Sequence, residues 1–237
     1  MKDKVIEVFN QLSYVYATTV DTKSFFNAEY ERPAMLSELA QDLQGDDVLD
    51  AGCAAGWYAD TLLQRGANVT AVDVSEDMVE ATKQRLGDKA KIFCWDLEEE
   101  LPFQDNSFDI ILSSLTLHYL KDWNLTFQEF KRVLKPDGYL LYSVHHPFSD
   151  TTLLSKEANY YSTALLLDTW DKEGKKYEVP FYHRPLQSII NVTSRYFAIE
   201  RLTEPLPTEE FKTRYPERFK HLLNNPQFLI VKAINKK

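Results

Sequence analysis

The stretch VLDAGCAAG, residues 48–56, decides the fold. It extends an apolar run, DVLDAG (47–52), that reads as a strand halting at glycine, and WYADTLLQRGA (57–67) follows with helical spacing and a closing Gly66. A strand that turns into a helix through small residues leaves the first N–H groups of that helix open to a ligand. Gly52 and Gly56, with Ala54 and Ala55 between them, let such a ligand approach the backbone. Tight turns also use glycine for steric reasons alone, so the surrounding sequence must carry the rest of the argument.

Working outward, NVTAVDVS (68–75) reads as a second strand and EDMVEATKQRLG (76–87) as a helix capped by Ser75. AKIFCWDL (90–97), FDIILSSLTL (108–117), a helix through LTFQEFKRVLKP (125–136) and YLLYSVHHP (139–147) continue the alternation. Repeated strand and helix predict an α/β fold, a parallel sheet with helices on both faces. VIEVFNQL and AMLSELAQDL carry apolar spacings of three and four, making residues 1–46 a helical cap or lid. Residues 148–187 are rich in aromatics and His without assignable periodicity, an aromatic insertion. SRYFAIERL (194–202) and QFLIVKAI (227–234) read as two late strands in a closing segment, 188–237. With 47–147 as the core, 1–237 is read as one domain.

Composition narrows the function. A chain of 237 residues with 44% hydrophobic and 13% aromatic residues excludes disorder, collagen and coiled coil. A net charge of −9 argues against nucleic acid as the default partner. The charge is uneven: residues 1–150 hold 13 basic and 26 acidic side chains, whereas 151–237 hold 14 and 10. Cys53 and Cys94 form no disulfide framework, and neither lies in a zinc-type cluster. They fit a reducing cytoplasm. MKDKVIEVFNQL lacks the apolar core of a signal peptide, and no segment approaches the roughly 18 apolar residues of a membrane span.

Asp73 stands 21 residues after Gly52 at the end of the second strand, near the roughly 20-residue spacing at which an acid meets ribose hydroxyls. The pair points to a nucleoside. Trp57 occupies the place of the third glycine in a dinucleotide fingerprint, which disfavours pyrophosphate packing. Asp50, before the turn, would repel a diphosphate and attract an ammonium group. An amino-acid-bearing nucleoside meets both conditions.

VLDAGCAAG, AVDVS, CWDL, FDIILSSLTLHYL and FKRVLKPDGYLLYS, in this order, resemble the class I S-adenosylmethionine-dependent methyltransferases of the small-molecule type over residues 45–145. The resemblance implies a Rossmann-like three-layer sandwich, a seven-stranded mostly parallel sheet whose last strand is antiparallel, and S-adenosyl-L-methionine as cofactor. It further implies that Asp50, Gly52, Cys53, Ala54 and Gly56 contact the methionine part and that Asp73 holds the ribose. Val74 and Met78 would pack on the adenine, Asp96 and Leu97 would bond its edge, and Ser113, Ser114 and Leu115 would line the sulfonium, with His118 bordering the cofactor. Ala54 departs from the glycine of many members, which is tolerable if its φ stays negative.

Methyl transfer to a small-molecule acceptor needs near-attack geometry above all, and a base only where the acceptor is protonated. His146, His145 and His183 are the candidate bases. Strand alternation lets at most one of His145 and His146 face the substrate. Tyr14, Tyr16, Tyr30 and Arg32 are candidates to close over the site, and Arg184 to pair with an anionic group of the acceptor. Three rivals stand beside this reading: a nicotinamide-dependent oxidoreductase, a non-catalytic nucleoside-binding protein of the same fold, and an RNA or DNA methyltransferase using FKTRYPERFKH (211–221). SSLTLHY stands where an NPPY-type tetrad would serve base methylation, which weakens the last.

Overall fold

Along the chain the strands are β1 (Asp47–Ala51), β2 (Asn68–Asp73), β3 (Lys91–Cys94), β4 (Phe108–Ser114), β5 (Leu134–His145), β6 (Ala164–Lys172), β7 (Lys175–His183), β8 (Ala198–Thr203) and β9 (Phe228–Ile234). The computed structural model describes residues 1–20, 24–154, 159–172 and 174–236. Positions 21–23 of the helical cap, 155–158 and 173 of the aromatic insertion, and 237 of the closing segment lie outside the described residues.

Seven strands form one sheet in the order β3-β2-β1-β4-β5-β9-β8. The first five pair in parallel, and β9 runs antiparallel to both β5 and β8. The mostly parallel seven-stranded sheet with an antiparallel last strand is therefore present. Helices α1 (Lys2–Val15), α2 (Arg32–Ser37), α3 (Trp57–Gln64), α4 (Glu76–Leu86), α5 (Asn124–Val133) and α6 (Leu186–Tyr196) surround it. Two short helices, α7 (Glu209–Arg214) and α8 (Pro216–Leu222), precede β9.

Strand alternation explains why β1 reads as an unbroken apolar run. Val48 packs with Leu62 and Leu141 on one face of the sheet, and Leu49 with Phe127 and Phe130 on the other, all without exposure. In α5 the spacing of Phe127, Phe130 and Val133 turns three fully buried side chains to the sheet, each stabilising by about 1.5–3 kcal/mol. Ser75 caps α4 by accepting from the Met78 N–H at 3.1 Å.

The aromatic insertion differs from its sequence reading. Ala164–Lys172 and Lys175–His183 form an antiparallel β6–β7 hairpin separate from the main sheet, registered from Ala164↔His183 to Lys172↔Lys175. Its period was hidden because apolar residues occupy both faces: Leu166 is buried, while Leu165 and Leu167 are about half exposed. The start of SRYFAIERL also differs, since Ser194 to Tyr196 complete α6 before β8 begins. Helix α1 packs through Val8 and Leu12 against Ala55, Met78, Tyr177 and Val179, so it joins the turn after β1 to the hairpin. Among the described residues no helix is long and apolar enough to cross a membrane.

Candidate active site

The sheet order reverses at β1, whose neighbours β2 and β4 lead their connections apart and open a crevice at the carboxyl ends of the strands. A cavity of about 930 Å³ lies there, with residues of α1 and the β6–β7 hairpin among its walls. Gly52, Cys53, Ala54, Asp73 and Val74 line it, as do Asp96, Leu97, Ser114 and Leu115. Arg32, Tyr16 and His145 line it as well. Among the described residues no group of three or more His, Cys, Asp or Glu is placed to hold a metal ion.

The backbone is strained where it meets this cavity. Positive φ occurs at four non-glycine residues among those described. Asn106 and Asp137 are types that tolerate it, but Ala54 (φ 47°) and Leu115 (φ 47°) are not, and both line the cavity. The condition of negative φ, under which alanine would fit here without strain, is not met at Ala54. Its N–H donates to Asp73 Oδ2 at 2.9 Å and its carbonyl accepts from Thr82 Oγ1 at 2.6 Å, which hold the left-handed conformation. Gly52 at φ 88° is obligatory, because a Cβ there would lie 2.2 Å from Thr116 Oγ1. Leu115 is held by its N–H donating to the Ser143 carbonyl at 3.1 Å and to Ser143 Oγ at 3.0 Å.

Electrostatics set apart the two acids of the first strands. Asp73 Oδ1 accepts from the Ser75 N–H at 2.9 Å, so each carboxylate oxygen has one backbone donor and lone pairs to spare. Burial raises its pKa, opposed by the N–H groups of Ser75, Ala54 and Val74. Asp50 lies behind the lining, 1% exposed, with Oδ2 buried and without a hydrogen-bond partner. Burial, and then the Asp73 carboxylate, push it up to about 7. Two buried acids with an unmatched oxygen suit a cationic group and reject a diphosphate. The acids, the strained glycine-rich turn and the cavity volume fit a nucleoside carrying an amino-acid arm.

A carboxylate absent from the sequence reading braces the cavity. Glu31 has no exposure and accepts from Ser114 Oγ at 2.8 Å, Ser143 Oγ at 2.6 Å and Tyr58 OH at 2.8 Å. Burial raises its pKa against these three donors. It ties the segment before α2 to the ends of β4 and β5 across as many as 112 residues, a link that no local pattern signals. Lys2 of α1 pairs with Asp96. Tyr16, half-buried, is pushed up to about 12 by the desolvation of its hydroxyl, with Arg32 opposing.

Several candidates stand elsewhere. Met78 points into the α1 interface, and Ser113, one step off the cavity face, donates to the Ala51 carbonyl at 2.8 Å. Gly56 starts α3 behind the lining. Tyr14 is 71% exposed on the outer side of α1, and Tyr30 is buried among Phe26, Phe211 and Phe228. His118 lies behind His145, their rings stacked at 4.1 Å. Of the three candidate bases only His145 reaches the cavity. His146 turns the other way, its Nε2 2.8 Å from Glu204 Oε1 and its Nδ1 accepting from the Phe148 N–H at 3.2 Å. His183 is fully buried, with Nδ1 3.3 Å from Asp150 Oδ2 and Nε2 2.9 Å from the Tyr160 carbonyl. Arg184 is spent on structure, donating to the Lys121 carbonyl at 2.6 Å and to that of Leu120, with its guanidinium over Trp123. Asp150, which the sequence did not single out, lines the cavity beside His145.

Comparison with known proteins agrees with this geometry. Residues 49–142 match the family described as "Methyltransferase domain". The chain is 38% identical to the malonyl-[acyl-carrier protein] O-methyltransferase of Erwinia billingiae over 46% of this chain and 42% of that protein. It is 32% identical to the demethylmenaquinone methyltransferase of Clavibacter sepedonicus over 58% and 56%. The match therefore spans about half the length of these curated relatives. A solved S-adenosylmethionine dependent methyltransferase from Mesorhizobium loti superposes with a TM-score of 0.69 at 27% identity, covering 86% of this chain and 97% of that one. These matches support a class I S-adenosylmethionine-dependent methyltransferase with S-adenosyl-L-methionine as its cofactor.

Proposed function

We propose that this enzyme methylates a small-molecule acceptor at an oxygen or nitrogen that gives up a proton. The observation that carries the reading is His145, the one candidate imidazole on the cavity wall, set beside Phe181, Tyr119 and Tyr182. Burial lowers its pKa, against the pull of Asp150 and Asp168, and keeps it neutral and able to accept a proton near pH 7. Those aromatic neighbours suit an apolar or planar acceptor. The relatives from Erwinia billingiae and Clavibacter sepedonicus, named for a carrier-linked acyl group and a quinone precursor, support this class.

Bound S-adenosyl-L-methionine supplies a methyl group activated by its sulfonium charge. In this assignment Asp73 accepts from the ribose hydroxyls with its free lone pairs and Asp50 faces the ammonium group. Gly52, Cys53 and Ala54 present backbone to the amino-acid arm, and Val74 and Leu97 flank the adenine while Asp96 meets its amino group. Leu115 and Ser114, locked by Glu31, form the wall beside the reacting carbon and fix the approach of the acceptor. Cys53 and Cys94 are both free thiols, consistent with work in a reducing cytoplasm.

The test is transfer of a tritiated methyl group from the cofactor into a bacterial extract separated into small molecules, protein and RNA. Label in the small-molecule fraction, lost on His145→Ala while S-adenosylhomocysteine still binds, is the expected result. Label confined to RNA, or to protein in a form that thioester cleavage does not release, would overturn the assignment.

A further inference from the structure

His145 does not stand alone at the cavity. Asp150, 4% exposed on the single helical turn Pro147–Asp150, places Oδ1 3.8 Å from His145 Nδ1 and Oδ2 3.3 Å from His183 Nδ1. The second nitrogen of His183 faces the Tyr160 carbonyl at 2.9 Å. A carbonyl only accepts, so His183 Nε2 carries a proton; its Nδ1 faces a carboxylate and is best served by a proton too. Burial opposes charge on His183, but the hydrogen bonds to Asp150 and Tyr160 outweigh it, and its pKa is raised. One carboxylate thus bridges a buried imidazole that favours the charged form and a cavity-lining imidazole that favours the neutral one.

We propose that Asp150 positions His145 as the general base of methyl transfer, and that His183 fixes Asp150 from behind. The proposal rests on the methyl-transfer reading above and deepens it. With its Nδ1 proton directed at Asp150, His145 turns the Nε2 lone pair to the cavity. The acceptor's proton moves to Nε2 while the acceptor's lone pair forms the bond to the methyl carbon. The carbon–sulfur bonding pair stays on sulfur, and the imidazolium then releases its proton to water. Asp150 offsets the positive charge that His145 gains, and the 3.8 Å separation shortens as that charge forms. The order of roles departs from a reading in which His183 is itself the base, since no path leads from its ring to the cavity: both nitrogens are engaged.

The charges around His145 come from every element packed against it. His118 stacks on it from the turn after β4, with Arg184 behind that ring. Asp168 acts on it from β6, and Phe181 of β7 closes one side edge-on at 4.9 Å. Among the described residues only Asp150 approaches the Nδ1 edge at ion-pair distance.

The experiment is long-range ¹⁵N–¹H spectroscopy of ¹⁵N-histidine-labelled protein, titrated with pH with and without S-adenosylhomocysteine. Wild type should show His145 protonated on Nδ1 when neutral. Asp150→Asn should lower its titration midpoint by about 1 pH unit, the low end for loss of an opposite charge at this range. His183→Ala should lose the single His145 tautomer, and His183→Gln, which keeps a donor to Asp150, should restore it. S-adenosylhomocysteine affinity should change less than twofold in all three. An unchanged midpoint in Asp150→Asn, or a His145 protonated on Nε2 in wild type, overturns the proposal; the second readout needs no variant to fold. Failure of the wild type to bind S-adenosylhomocysteine would show separately, and would overturn the methyl-transfer reading.

Discussion

The assignment of Asp50 to the ammonium group predicts a pH dependence of cofactor affinity that can be calculated. Its carboxyl titrates at about 7 in the ligand-free protein, against 3.8 for an unperturbed aspartate, because it is buried and lies near Asp73. That displacement, about three pH units at about 1.4 kcal/mol each, corresponds to a charging cost of about 4 kcal/mol. A raised value means that the contribution of Asp50 to stability is fully present below 3.8 and is lost as pH rises through about 7. An ammonium group beside Oδ2 reverses this preference, so the bound state holds Asp50 ionised. Affinity then follows the ionised fraction: level above about pH 8, about three quarters at pH 7.5, about half at pH 7 and about a tenth at pH 6. At pH 7 binding should release about half a proton. Calorimetry of S-adenosylhomocysteine between pH 5.5 and 7.5, in buffers of different ionisation enthalpy, measures both quantities. Asp50→Asn should bind more weakly at pH 7.5 and lose the slope. Affinity constant within twofold over this range without proton release, or an equal slope in Asp50→Asn, would refute the reasoning.

Three further outcomes follow from the same geometry. Asp73→Ala removes the acceptor for the Ala54 and Ser75 N–H groups as well as for a ribose; S-adenosylhomocysteine affinity should fall at least about 100-fold by calorimetry, at about 1.5–3 kcal/mol per charge-assisted hydrogen bond. Ala54→Gly relieves the left-handed strain at φ 47° and should raise unfolding stability by about 1 kcal/mol in urea titration, whereas a decrease would contradict the strain argument. His118, buried with both ring nitrogens unpartnered, has its pKa pushed well below 6.5 first by burial and then by His145 and Arg184. A depressed value means stability present above 6.5 and lost as pH falls below it. His118→Phe should keep the stack on His145 and gain stability over wild type by about 1.4 kcal/mol per pH unit below 6.5, read from paired urea curves at pH 7.5 and 5.5.

Local chemistry is what the linear order could reveal. The strands β1 to β5, the Ser75 cap and the glycine-rich turn are written in short-range periods and turn residues, each readable within about ten positions. Asp73 was legible for the same reason, since a fixed strand–helix–strand unit sets its distance from Gly52. The hairpin escaped because leucines on both of its faces erase a period of two. The sign of φ at Ala54 was not legible because it depends on partners elsewhere, here Asp73 and Thr82. Glu31 and Asp150 were not singled out: Glu31 gains its meaning from groups 27–112 residues away, and Asp150 from bridging the nearby His145 to His183, 33 residues on, links that form only once the sheet order and the hairpin are set. The three histidines offered as bases were equal in sequence. Folding separates them, because strand pleating sends His145 to the cavity and His146 to Glu204, and the hairpin register buries His183 behind Asp150. A residue's type and spacing establish what it can do chemically, while convergence of distant segments and exclusion of water establish whether it meets a ligand.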